Sequence, residues 1–106
     1  MEERKYLQLN DIEAYKAAFK LSNYVWEIVT KWGHFEKEMV GKQFARAVDS
    51  LSANLAEGFG RFGKKDKINF YRFARGSVYE CLDWNENAKV RNLISEEQYK
   101  HIFQNL

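Results

Sequence analysis

Six polar side chains, Gln43, Arg46, Ser50, Asn54, Glu57 and Arg61, recur along this chain at intervals of three, four, four, three and four residues. Only an α-helix brings such positions together: at about 100° per residue they fall within roughly 80° of one another. Val40, Phe44, Val48, Leu51, Leu55 and Phe59 draw a second, apolar line about 115° away on the same helix. Ala45, Ser52, Ala53, Ala56 and Gly60 make a third face that is nearly all small. An ordinary surface helix has one apolar stripe and a charged back. This one is expected to be contacted on several sides, with one face small enough for another backbone to approach closely.

No proline interrupts the chain, and helical signals run through the rest of it. Asn10-Asp11-Ile12-Glu13 reads as a helix start, with Asn10 as the cap and Glu13 closing a capping box. Ile12, Tyr15, Phe19, Ser22, Trp26 and Val29 then mark a buried face as far as about Trp32, where Gly33 and His34 punctuate the pattern. The second helix runs from about Phe35 to Phe59, and Gly58, Gly60 and Gly63 loosen its end and supply a turn. A third runs from about Lys64 to Asn92. Phe70, Ala74, Ser77, Val78, Cys81, Asn85 and Ala88 share its inward face, with Lys65, Arg72, Tyr79 and Asp83 opposite. Ser95-Glu96-Glu97-Gln98 is a second capping box, opening a short helix through Tyr99, Ile102, Phe103 and Leu106. Helices over about 11–32, 35–59, 64–92 and 95–106, joined by short loops, predict an all-α, antiparallel up-down four-helix bundle with a short fourth helix. The 106 residues suffice for one domain with a single core.

No apolar run reaches the length of a membrane span, and Met1-Glu2-Glu3-Arg4-Lys5 lacks the apolar segment of a secretory signal. The one cysteine, Cys81, cannot form an internal disulfide. A cytoplasmic protein with no membrane partner is therefore expected. The net charge of +2 says little about partners, but its distribution says more. Arg61, Lys64, Lys65, Lys67, Arg72 and Arg75 are accompanied between Arg61 and Arg75 by the lone acid Asp66.

The string Gln43-Phe44-Ala45-Arg46-Ala47-Val48-Asp49-Ser50-Leu51-Ser52-Ala53-Asn54-Leu55-Ala56-Glu57-Gly58, followed by Arg61, resembles the signature of the four-helix-bundle proteins called 23S rRNA intervening sequence proteins. Phe73-Ala74-Arg75-Gly76-Ser77 and Glu80 fit that family's third helix, and Glu36 fits ahead of Gln43. The resemblance covers essentially the whole chain. It implies a bacterial protein whose family has reading frames in insertions within large-subunit ribosomal RNA genes and elsewhere, and whose biochemical role is not settled. Related bundles include the accessory variability determinant of diversity-generating retroelements, a basic homopentamer that works with a reverse transcriptase and nucleic acid. By that likeness a homopentamer is expected here. Where the family often has two adjacent arginines this chain has Ala45-Arg46, which thins the charge on that face. Ser52 stands where a proline is frequent, which predicts a straighter second helix. Relatives tend to have a longer final helix, so the fourth helix is expected to rely partly on a neighbouring subunit.

The polar stripe supports three readings. Gln43, Arg46, Ser50, Asn54 and Glu57, joined by Glu80 from the third helix, form a seam that fixes helix register or subunit geometry; or they line a pore or cleft of an oligomer; or they are an exposed face. Contact spacing along the helix and the need of buried charges for partners favour the seam. The basic run is either solvated surface or a source of phosphate contacts from Arg61, Lys64, Lys65, Lys67, Arg72 and Arg75, with Phe62 or Tyr79 as stacking groups. A ring of subunits would present that patch repeatedly and raise avidity. Enzyme readings find little support. Glu57 and Glu80 could pair as carboxylates, but no nucleophile or histidine cluster accompanies them. His34 and His101 lack metal-ligand spacing, and Cys81 lies on an apolar face. Gly58-Phe59-Gly60-Arg61-Phe62-Gly63 follows a helix rather than the strand a phosphate loop requires. No catalytic residue, metal or cofactor is expected. What remains is a non-enzymatic homo-oligomer associated with RNA or DNA, or alternatively a protein scaffold that docks a partner such as a reverse transcriptase.

Overall fold

The structure, a computed structural model, describes residues 8–106. After a 3₁₀ turn at Leu9–Asp11 come α1 (Glu13–Val29), α2 (His34–Glu36), α3 (Lys42–Phe59), α4 (Lys64–Val90) and α5 (Glu96–Gln104). A π turn, Lys37–Gly41, joins α2 to α3 without a break, because Glu36, Lys37, Gly41 and Lys42 all keep right-handed helical dihedrals. The chain thus makes four rods, an all-helical four-helix bundle with a short last member. No strand occurs among the described residues.

Local chemistry explains where the rods stop and start. α1 begins at Glu13 with Ile12, in extended conformation, at its N-cap. The capping box expected at Asn10 and Glu13 therefore falls too early. Asp11 holds the preceding turn instead, its carboxylate accepting the Gln8 N–H at 2.7 Å; the Asn10 side chain lies outside the described residues. The second box forms as its sequence implies: Ser95 Oγ accepts the Gln98 N–H at 3.0 Å, and Gln98 Oε1 accepts the Ser95 N–H at 2.9 Å. α4 ends in a left-handed residue, Asn92, at φ 58°. The Leu93 N–H reaches Ala88 O at 2.8 Å and the Asn92 N–H reaches Lys89 O at 3.0 Å, a Schellman pair that swings Leu93 back onto the core. No described glycine has a positive φ, so the turn after α3 is not made by a left-handed glycine.

α3 is the central rod, packed between α1 and α4, while α5 covers the C-terminal part of α4. Leu21, Val25 and Val29 of α1 meet Phe44, Ala47 and Val48 of α3, with Cys81, Ala88, Ile94 and Ile102 closing the main core. Each fully buried Val, Phe or Ile there contributes about 1.5–3 kcal/mol. On α4 the buried set is Ala74, Ser77, Cys81, Asn85 and Ala88, the face its periodicity implies. α1 departs from expectation. It buries Ala18, Leu21, Ser22, Val25 and Val29, and leaves Phe19 53% and Trp26 54% exposed. The buried face is turned by roughly 75° from the one marked by the aromatics. Small and branched side chains let α1 lie close to α3, where the Ser22 hydroxyl donates to the Asp49 carboxylate. The two large rings are left on the flank.

Candidate functional site

Ser77 of α4 is the meeting point of the polar stripe. Its Oγ accepts from Ser50 Oγ at 2.7 Å and from Asn54 Nδ2 at 3.5 Å, and donates to Phe73 O at 3.1 Å. Ser50 Oγ also lies 2.8 Å from Ala47 O. These bonds pin α3 against α4 at one register, since a slip of one residue would separate all three side chains. Further along, Arg61 donates to Glu57 at 3.1 Å, and its guanidinium sits 4.6 Å from the Phe70 ring centroid. Gln43, Arg46 and Glu80 are exposed and make no hydrogen bond or ion pair with the described residues. Arg46 lies one turn before Ser50 and Glu80 one turn after Ser77. The antiparallel pairing therefore brings the two charges to the same level on either side of the seam, unpaired.

The basic run divides in a way its sequence does not disclose. Lys67 Nζ donates to Gly58 O at 3.2 Å and to Phe59 O at 3.0 Å. Gly58 O also accepts the Arg61 N–H at 3.3 Å, so Lys67 chiefly satisfies Phe59 O, and a cation there complements the helix dipole. Lys67 is thus the clasp of the α3–α4 turn. Arg61 is held by Glu57 and Phe70. Lys64, Lys65, Arg72 and Arg75 are exposed and form no ion pair with the described residues. Lys64, Ile68, Arg72, Arg75 and Tyr79 follow one another at intervals of four, four, three and four residues, so they share one solvent-facing side of α4, with Lys65 on its flank. From Lys64 to Tyr79 this ladder is roughly 22 Å long. At its far end the Arg75 guanidinium lies 5.9 Å from the Tyr79 ring centroid. Ile68 as a rung is legible in the spacing once Lys64 and Arg72 are aligned.

A second contact was hidden from the sequence. Gly58 is buried against Tyr71, and a Cβ added there would meet the ring at 2.6 Å. The glycine is required for this close approach rather than for the turn. Elsewhere α1, α3 and α4 border an open apolar groove of about 530 Å³, lined among others by Ala14, Ala18, Leu55, Val78 and Leu106.

Nothing in this arrangement assembles reactive groups. Burial, with a smaller contribution from Glu80, pushes the Cys81 thiol up to about 12, so it stays protonated and inert near neutrality. His101 packs against Tyr24 with the rings tilted by 35° and their centroids 4.1 Å apart, and His34 is exposed at the start of α2. Among the described residues no three His, Cys, Asp or Glu side chains come together as a metal site.

The class defined by these features is a four-helix bundle whose central pair is locked by a serine and asparagine seam and whose third rod bears an exposed ladder of cations. Residues 10–106 match the profile of the 23S rRNA-intervening sequence proteins, and the chain belongs to that family. Its fold is similar to the crystal structure, at 1.70 Å resolution, of a protein with unknown function from the S23 ribosomal protein family of Bacteroides thetaiotaomicron VPI-5482. The TM-score is 0.80 at 22% identity, over 87% of this chain and 83% of that one. No curated protein matches the chain.

Proposed function

We propose that this protein is a non-enzymatic homo-oligomeric bundle, a pentamer acting in the cytoplasm, that binds RNA or DNA through the exposed cations of α4. The observation that carries the reading is the set Lys64, Lys65, Arg72 and Arg75, displayed along one side of a rigid rod with no acid among the described residues paired to it. Cations that serve a fold are paired or cap a helix, as Arg61 and Lys67 do. These four do neither, and Lys64 and Lys65 oppose the dipole of the helix they begin. Assembly is supported by Phe19, Trp26, Phe35 and Met39, each more than half exposed, and by the hollow over Ala53, Ala56 and Gly60. Repetition around a ring turns a weak four-cation contact into a usable one.

Binding of labelled RNA and DNA across a salt titration tests this. Affinity should fall steeply with salt, show little sequence preference, and drop in the combined Lys64→Glu, Lys65→Glu, Arg72→Glu variant. Binding indifferent to salt and to these substitutions refutes it. Light scattering tests assembly, and a monomer at micromolar concentration contradicts it. A second reading, favoured by the open apolar groove, is a scaffold that docks a nucleic-acid enzyme such as a reverse transcriptase. Recovery of such an enzyme from nuclease-treated lysate would favour that reading.

A further inference from the structure

Phe62 stands at the tip of the loop between α3 and α4 and is 104% exposed, as open as the residue in an isolated peptide. The ring makes no aromatic or cation contact with the described residues. Its neighbours are Arg61, turned away onto Phe70, and the unpaired Lys64 and Lys65. We propose that Phe62 is a stacking platform for an unpaired nucleobase, so that the α4 ladder takes a single strand in preference to a duplex. This rests on the nucleic-acid reading above and specifies its ligand.

The geometry favours a strand over other occupants. A free ring next to free cations offers one surface for a base and another for the phosphates that flank it. A second ring, Tyr79, closes the far end of the ladder beside Arg75, so aromatic groups bracket the row of cations. A duplex hides its base faces in its own stack, whereas a single strand presents them. A lipid surface would meet the loop tip, but the cations run away from the tip along the flank of α4 for roughly 16 Å, the path of a strand rather than of a plane.

The test uses the full chain, a labelled oligouridylate and a labelled blunt-ended duplex, with binding followed by fluorescence anisotropy over a salt series. The single strand should bind more tightly than the duplex. Phe62→Ala should weaken single-strand binding about tenfold, the loss of one base stack, and leave duplex binding unchanged. Because stacking releases no counterion, the slope of log K against log salt should stay the same in Phe62→Ala and flatten in Lys64→Ala. Phe62→Trp should restore binding. Salt-dependent binding that Phe62→Ala leaves untouched overturns the stacking proposal and keeps the nucleic-acid reading. A changed subunit count in Phe62→Ala makes the ring an assembly contact and overturns it too. So does a selective loss of binding to phosphatidylserine vesicles. No salt-dependent binding of either oligonucleotide overturns both readings.

Discussion

Gly58→Ala and Tyr71→Ala, made singly and together, expose a steric conflict whose sign can be worked out in advance. An added Cβ at Gly58 would lie 2.6 Å from Tyr71 Cε1 and 2.9 Å from Cδ1, where ordinary contact begins at 3.4 Å. The ring must move by most of an ångström. Tyr71 is 44% exposed and has room to swing outward, but it then loses its packing over the end of α3. Overpacking of this kind costs about 1–3 kcal/mol. Against it stands the entropic gain of replacing a helical glycine, about 0.5–1 kcal/mol. The clash wins, and Gly58→Ala alone should destabilise by about 1 kcal/mol.

With the ring removed only the helical gain remains. In the Tyr71→Ala background, Gly58→Ala should therefore stabilise by about 0.5–1 kcal/mol. The two effects differ in sign and give a coupling of about 2 kcal/mol, well beyond the additivity of independent sites. Urea unfolding followed by circular dichroism measures all four corners of the cycle. Protein concentration must be fixed, because any self-association would add to apparent stability. Equal effects of Gly58→Ala in both backgrounds would refute the claim that this glycine exists to admit the Tyr71 ring.

Lys67→Met should cost about 1 kcal/mol by uncapping Phe59 O and removing the cation from the end of α3, lowering the melting temperature while nucleic-acid affinity changes less than in Lys64→Met; the reverse ranking would return Lys67 to the binding set. Alkaline pH should destabilise through Cys81. Its thiol ionises near 9.0 when unfolded and near about 12 in the fold, so between those values the unfolded state holds fewer protons and stability falls as pH rises. The slope is at most about 1.4 kcal/mol per pH unit, and full stability from this group is present below the lower value. Cys81→Ala should flatten that part of a pH-dependent denaturation curve. In the wild type a thiol reagent should label Cys81 only as the protein unfolds, and prompt labelling of the native protein near neutral pH contradicts its burial.

The rods themselves were legible because each is announced locally, by an amphipathic period, a capping box or a glycine-rich break. Ser95 and Gln98 need only each other to start α5, so four consecutive residues suffice to place it. Which side of α1 is buried was not local. Phe19 and Trp26 advertise an apolar face by their size, yet the rod turns Ala18, Leu21 and Val25 inward because these permit a closer approach to α3. That choice depends on α3, which the periodicity of α1 does not contain. The two rings left outside are what an assembling subunit would keep exposed until it meets its neighbours.

The site divides along the same line. Ser50 and Asn54 lie on a face that periodicity defines, and their partner Ser77 on another, so the seam follows once two rods are known to pack. Lys67 differs from Lys64 in nothing a sequence displays: both are lysines in the first turn of α4. The angle of the turn from α3 decides that one reaches back to the carbonyls of Gly58 and Phe59 and the other faces water. The distinction changes a measurable quantity. Six cations would give a single-strand salt slope of roughly −4 per engaged subunit, whereas Lys64, Lys65, Arg72 and Arg75 alone give roughly −3. Arg61 leaves the count because Glu57 already neutralises it, and Lys67 because its charge is spent on the α3 terminus. Lys67→Met should accordingly leave the slope of the wild type in place, while each of the four exposed cations, removed singly, should flatten it by about 0.7.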